Sequence, residues 1–239
     1  MITLNPILKR RLRFGGLYNL DAVLETDFAP SGWHVADGDD WETLLKMKAT
    51  FGELDTNNDL GEMCRVVWYD LKSPTTTHTN EVGLSVKPSG FRNHSTGAFS
   101  SGYQNASKAS DFWLPFPYNL NNLVTYMHTA NFGSPSAFNI ASQTAPYTGA
   151  IGPRTGMSVR LIKDNTTPPT NNQLVDLDGN IYKSITVTDG IVSQIWLVEN
   201  WKCTKLNDGT PIPILDDNTD WTTATGPAMC WFNNDEKLK

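Results

Sequence analysis

"DLDGNIYKSITVTDGIVSQIWLVENWKCTKLNDGTPIPILDDNTDW", residues 176–221, carries the punctuation of a domain opening although it lies near the end of a 239-residue chain. Asp178-Gly179 predicts a hairpin-type turn, because glycine reaches the left-handed backbone such turns need. The run from Asn180 to Val187 predicts a strand, and residues 194–198 predict the next one. Asn207-Asp208-Gly209 marks a second tight turn. Asp217 or Asn218 can cap a short helical turn reaching Trp221, since either side chain can accept from the first free N–H groups of a helix.

Working outward, residues 165–173, "NTTPPTNNQ", read as a linker, with Pro168-Pro169 blocking regular structure. Upstream, Met157, Val159 and Leu161 alternate with Ser158, Arg160 and Ile162, which predicts a strand buried on both faces. Short apolar runs between Gly, Ser and Asn turns predict further strands or strand-like loops from about residue 81 to 131. Near the start, Trp33-His34-Val35 reads as a short strand. Asp39 is placed as a helix N-cap, with Glu42 completing a capping box and Gly52 as the stop. Trp41, Leu44, Leu45 and Lys48 fall at helical spacing between them.

Composition agrees with short strands joined by polar loops. The chain is 39% hydrophobic with eight Trp and ten Phe, and only 18% charged. That supports a real core and excludes the low-aromatic, highly charged profile of disorder. A net charge of −6 gives no electrostatic reason to expect nucleic-acid binding. No run approaches membrane-spanning length. The opening residues place their charges after a short apolar stretch, the reverse of a secretory signal. The basic run Lys9, Arg10, Arg11 and Arg13 reads as an assembly contact in an N-terminal arm. Cys64, Cys203 and Cys230 show no metal-ligand spacing, so the expectation is buried reduced thiols, with a Cys203–Cys230 bridge the alternative.

Taken together the motifs resemble the Fibrobacter succinogenes major paralogous domain, a C-type-lectin-like fold related to that of the formylglycine-generating enzymes. Asp178-Gly179-Asn180-Ile181-Tyr182, residues 194–200, 207–213 and 217–221, and Cys230-Trp231-Phe232-Asn233-Asn234-Asp235 are similar to that family's first half. Leu17-Tyr18-Asn19, residues 30–35, Asp40-Trp41, residues 81–84, residues 88–92 and residues 156–160 are similar to its second half. Here the halves stand in exchanged order, an arrangement similar to that of virion proteins of phages infecting Bacteroidetes-type bacteria.

The resemblance implies an α+β, C-type-lectin-like fold, irregular, with short strands, long loops and one or two short helices. It implies an arm over 1–13 and one permuted domain over 14–235. That domain divides into the family's second half at 14–165, a linker at 166–175 and the first half at 176–235. Pairing of residues 176–239 with residues 14–164 of a neighbouring chain is the alternative to closure within one chain. The implied function is a non-enzymatic phage virion structural protein of a head or tail appendage or fibre. It assembles as a homo-oligomer with other virion proteins and contributes to host-surface glycan attachment. A bacterial cell-surface carbohydrate-binding module is the alternative.

Within that frame Trp113, Phe116, Tyr118, Asn119 and Tyr126 are the candidate ligand residues, since flat sugar faces stack on exposed aromatics and amides bond hydroxyls. The competing reading places these aromatics in the core or a subunit interface. No resident cofactor and no metal is expected. Calcium is the one ion that Asp216, Asp217 and Asp220 suit, although a helix cap explains Asp217 as well. The cysteines match no reactive pair of the related enzymes, and His34 is expected to be a structural hydrogen-bonding histidine.

Overall fold

The computed structural model describes residues 13–50, 82–87, 89–100, 108–114, 123–131, 137–144 and 151–239. Strand β1 (Gly16–Tyr18) leads into a one-turn helix α1 (Leu20–Val23), then β2 (Trp33–Val35) and helix α2 (Gly38–Thr50). Three strands follow, β3 (Lys108–Trp113), β4 (Leu123–Asn131) and β5 (Ala137–Thr144). After β6 (Leu161–Lys163) come β7 (Gln173–Val175), β8 (Ile181–Thr188) and β9 (Ser193–Leu197). Helix α3 (Asn218–Thr223) and β10 (Met229–Trp231) complete the regular elements, an irregular α+β fold of antiparallel sheets and few helices.

The early and late parts of the chain share their sheets. β1 lies antiparallel to β10, with Leu17 opposite Cys230. A five-stranded antiparallel sheet runs β2-β6-β9-β8-β7, so the early strands β2 and β6 join the late strands β9, β8 and β7 in one layer at the β6–β9 pairing, Ile162 opposite Trp196. The end of the segment read as a linker is itself a strand: β7 pairs with β8, Val175 opposite Ile181. Pro168 and Pro169 precede it, so they do not remove donors from the ladder.

Period-2 alternation makes this sheet a wall between two cores. Leu161, Ile195 and Leu197 face one side with Tyr18, Trp33, Trp113 and Trp201, while Ile162 and Trp196 face the other. The second side is roofed by α2, whose Trp41, Leu44 and Met47 are buried. Trp41 meets Trp196 at 4.6 Å between ring centroids and Phe112 at 5.6 Å. A third cluster gathers Phe14, Leu17, Trp221 and Phe232 around the β1–β10 pair. Residues 157–162 are buried on both faces, as their composition predicts.

The capping box is the local expectation that changes, while the two described cysteines are the buried reduced thiols expected. The capping box of α2 is Asp37 with Asp40, each carboxylate accepting the other's backbone N–H at 3.0 Å, rather than Asp39 with Glu42. The helix therefore starts two residues earlier; Gly52 lies outside the described residues. Cys203 and Cys230 are free, buried in different clusters, and form no bridge; Cys64 lies outside the described residues. The segment after β1 turns into α1, capped by Asn19, whose Oδ1 accepts from Ala22 N and Ala228 N.

Candidate functional site

The aromatic segment singled out in the sequence begins where β3 ends. Residues 111–114 are buried, and Trp113 has no exposed surface. Its indole N–H donates to the Tyr18 carbonyl at 2.7 Å, its backbone N–H donates to Ser158 O, and Ser158 N donates to Asp111 O. Phe112 stands beneath Trp41, with the Arg160 guanidinium 5.9 Å from its ring centre. Trp113 is thus no sugar platform: it fills the main core because β3 enters the molecule between Tyr18 and Ser158. Tyr126 lies on β4 opposite Trp113 in the strand register. Phe116, Tyr118 and Asn119 lie outside the described residues, in the connection between β3 and β4. β3 and β4 themselves are neighbouring antiparallel strands of one sheet.

Lys9, Arg10 and Arg11 also lie outside the described residues. Arg13 is exposed, and its carbonyl accepts from Lys87 Nζ at 2.7 Å.

Two buried arginines bind the early and late segments together. Arg92 donates through Nε to Gly97 O and through its terminal nitrogens to the carbonyls of Leu215, Asp216 and Asp217 and to Asn218 Oδ1. Its plane is sandwiched near Phe99 and Trp221, at 5.0 and 4.6 Å from the ring centres. Arg160 reaches Leu84 O, Leu197 O and Asn200 Oδ1 at 2.7–2.8 Å. Asn200 passes the tie on, donating to Phe14 O and Ser158 Oγ. Gly15 is required at this crossing: it has φ +82°, and a Cβ there would sit 2.7 Å from that of Asn200. Sequence reasoning missed both arginines. The available signal was an arginine inside an otherwise buried motif, "SVR" at 158–160 and "FR" at 91–92.

The ionisable groups with candidate chemistry are held by structural bonds. His34 bridges Asp164 at 2.7 Å and Asp40 at 3.0 Å, joining the start of α2 to the end of β6. The Asp40 hydrogen bond leads in raising its pKa to about 9, with burial opposing and Asp164 assisting. A histidine so held is a cation near neutral pH and serves poorly as a general base. His78 lies outside the described residues, and His128 falls on β4.

Asp176, Asp178 and Cys203 come within metal-binding distance of one another. Yet the Asp176 carboxylate accepts from Asp178 N, Asn180 N, Asn180 Nδ2 and Tyr182 Oη, which fills its lone pairs. Asp178 accepts from Thr204 and pairs with Lys205 at 3.2 Å. Burial pushes the Cys203 thiol up to about 11 and the Cys230 thiol up to about 12, so neither is a ready ligand or nucleophile. The group is a bonded turn. In the second acidic group Asp217 is the N-cap of α3, accepting from Thr219 N and Asp220 N. The Arg92 cation already occupies the Asp216 and Asp217 carbonyls.

No curated protein and no solved structure matches the chain. The family model described as the Fibrobacter succinogenes major domain matches residues 3–163, starting within the segment read as an arm and stopping before the linker. The match spans all strands from β1 to β6 and both Arg92 and Arg160. Covering well over half of the sequence, it shows that the chain belongs to the Fibrobacter succinogenes major domain family.

Proposed function

We propose that this chain is a non-catalytic virion protein of a phage head or tail appendage, a C-type-lectin-like domain in permuted order that contributes to host-surface glycan attachment. The observation that supports the permuted order is the pairing of β1 with β10. A permuted order is tolerated when the two ends of the chain meet in the fold. Here β1 and β10 form one ladder, while β6, before the junction at residues 165–173, and β8, which follows β7 after it, are both neighbours of β9 in one sheet. The segment from Asp176 onward, outside the family match, supplies Tyr182, Ile195, Leu197 and Trp201 to the core that Tyr18, Trp33 and Trp113 begin.

Glycan contact is assigned to the connection between β3 and β4, with Phe116, Tyr118 and Asn119 as contacting residues. The basic residues Lys9, Arg10, Arg11 and Arg13 are assigned to contacts with other virion proteins and with further copies of the chain.

Two measurements test the proposal. Mass spectrometry of purified particles from the source phage should recover the chain; its absence removes the virion assignment, and its recovery on bacterial cells favours the carbohydrate-binding module instead. A glycan array should give binding that Tyr118→Ala abolishes while the melting temperature holds. An array without signal removes the attachment role and leaves a scaffold.

A further inference from the structure

A groove of about 410 Å³ is lined by Asp21, His94, Pro153, Arg154, Ala224 and Thr225. Its walls come from four separate stretches of chain, each fixed by its own bonds. Asp21 stands in the first turn of α1, which Asn19 caps. Pro153 O accepts from Leu20 N at 2.8 Å, holding the 152–155 turn against α1. Gly152 lies so close to His94 that a Cβ there would meet Nδ1 at 2.9 Å, which seats the imidazole on the same turn. Ala224 and Thr225 follow directly on α3 (Asn218–Thr223).

Its charged groups are unusual for this molecule. Arg154 is half-buried, and its Nε–H is buried without a hydrogen-bond partner. Asp21, also half-buried, faces the same groove, and among the described residues no ion pair joins the two. A guanidinium offers a planar fork suited to a carboxylate or phosphate. A carboxylate opposite it prefers hydroxyl donors and repels a second negative charge. Pro153 and Ala224 supply apolar flanks, and Thr225 a hydroxyl. A volume of this size admits one sugar ring.

We propose that this groove binds a monoanionic saccharide of the uronic-acid type, with its carboxylate on Arg154 and its ring hydroxyls on Asp21 and Thr225. The groove shares no lining residue with the glycan contact proposed above, and the inference stands whether or not the chain is a virion protein.

Calorimetric titration of the full chain with D-glucuronate, D-glucose, acetate and inorganic phosphate tests it. Glucuronate should bind saturably, with glucose, acetate and phosphate each weaker by about tenfold or more, the ratio expected when one charge-assisted pair or the hydroxyl contacts are lost. Arg154→Gln should weaken glucuronate by about tenfold or more at unchanged melting temperature. Asp21→Asn should weaken it less, because the amide still accepts a hydroxyl. Absence of saturable glucuronate binding overturns the proposal. So does phosphate binding as tight as glucuronate, or an Arg154→Gln variant that binds like the wild type.

Discussion

Arg92 and Arg154 stand at opposite ends of the same short helix, α3, and they do opposite things. Arg92 lies beneath its N-terminus, fully buried, with every arm of the guanidinium bonded to the chain and aromatic rings beside it. Arg154 lines the groove that begins past its C-terminus, half-buried, with Nε unpartnered. A buried cation is tolerated only where the chain itself replaces its water, as four carbonyls do for Arg92. Where the chain leaves such a group without partners, the cost is borne without any architectural return. That asymmetry is why we assign structure to the first and recognition to the second.

The sharpest way to break this contrast is Arg92→Met. The substitution keeps much of the volume but orphans the carbonyls of Gly97, Leu215, Asp216 and Asp217, and it should cost about 3–5 kcal/mol in chemical denaturation. A loss below about 1 kcal/mol, the size of one ordinary hydrogen bond, means the guanidinium is not the tie described. Next comes Trp113→Phe, which strips the Tyr18 carbonyl of its indole donor and should cost about 1–3 kcal/mol. Its folded fraction should bind glycans like the wild type, since the ring lies in the core; impaired binding by the folded protein returns Trp113 to the contact surface.

Asp217→Ala removes the N-cap of α3 and should cost about 1 kcal/mol. Arg92 stays bonded to backbone carbonyls there, so a much larger loss shows that cap and guanidinium act as one unit.

His34 gives a smaller effect, with a definite sign. Its folded pKa is raised from 6.5 to about 9, so its bonds to Asp40 and Asp164 stabilise fully below pH 6.5 and are lost as pH rises through 9. With 43% of its side chain exposed, solvent screening keeps the effect modest. The melting temperature should fall across that window in the wild type more than in His34→Gln; equal falls assign the pH dependence elsewhere.

Arg154→Gln completes the series with no change, within about 0.5 kcal/mol, because the side chain makes no bond that the fold uses. A marked destabilisation makes Arg154 a second structural arginine and removes its contrast with Arg92.

Much of the local structure was legible. Asp217 caps α3, Asp208-Gly209 makes a tight turn with Gly209 at φ +93°, and Asp178-Gly179 turns β7 into β8 with Gly179 at φ +78°. Each depends on hydrogen bonds within a few residues, which spacing reveals. β5 escaped notice because "AFNIASQT" is short of β-branched and aromatic side chains; it is a strand through its eight-position pairing with β4. α1 escaped because one turn has no periodicity to detect.

The candidate site was legible in composition and not in placement. Phe112, Trp113, Phe116 and Tyr118 form one aromatic run in sequence, and only the bonds of β3 to Tyr18 and Ser158 show that Phe112 and Trp113 belong to the core. Residue type alone could not do this, because an indole serves a core and a sugar equally well.

What the sequence determined by itself was the set of local elements and, through its motifs, the family, since caps, turns and alternation are short-range consequences of side-chain chemistry. Tertiary structure alone decided which arginine is bonded and which is open. Arg92 meets partners 5 residues and more than 120 residues away, and the Arg154 groove closes around residues from 21 to 225. Such partnerships depend on how distant segments meet in space, and no local pattern encodes them.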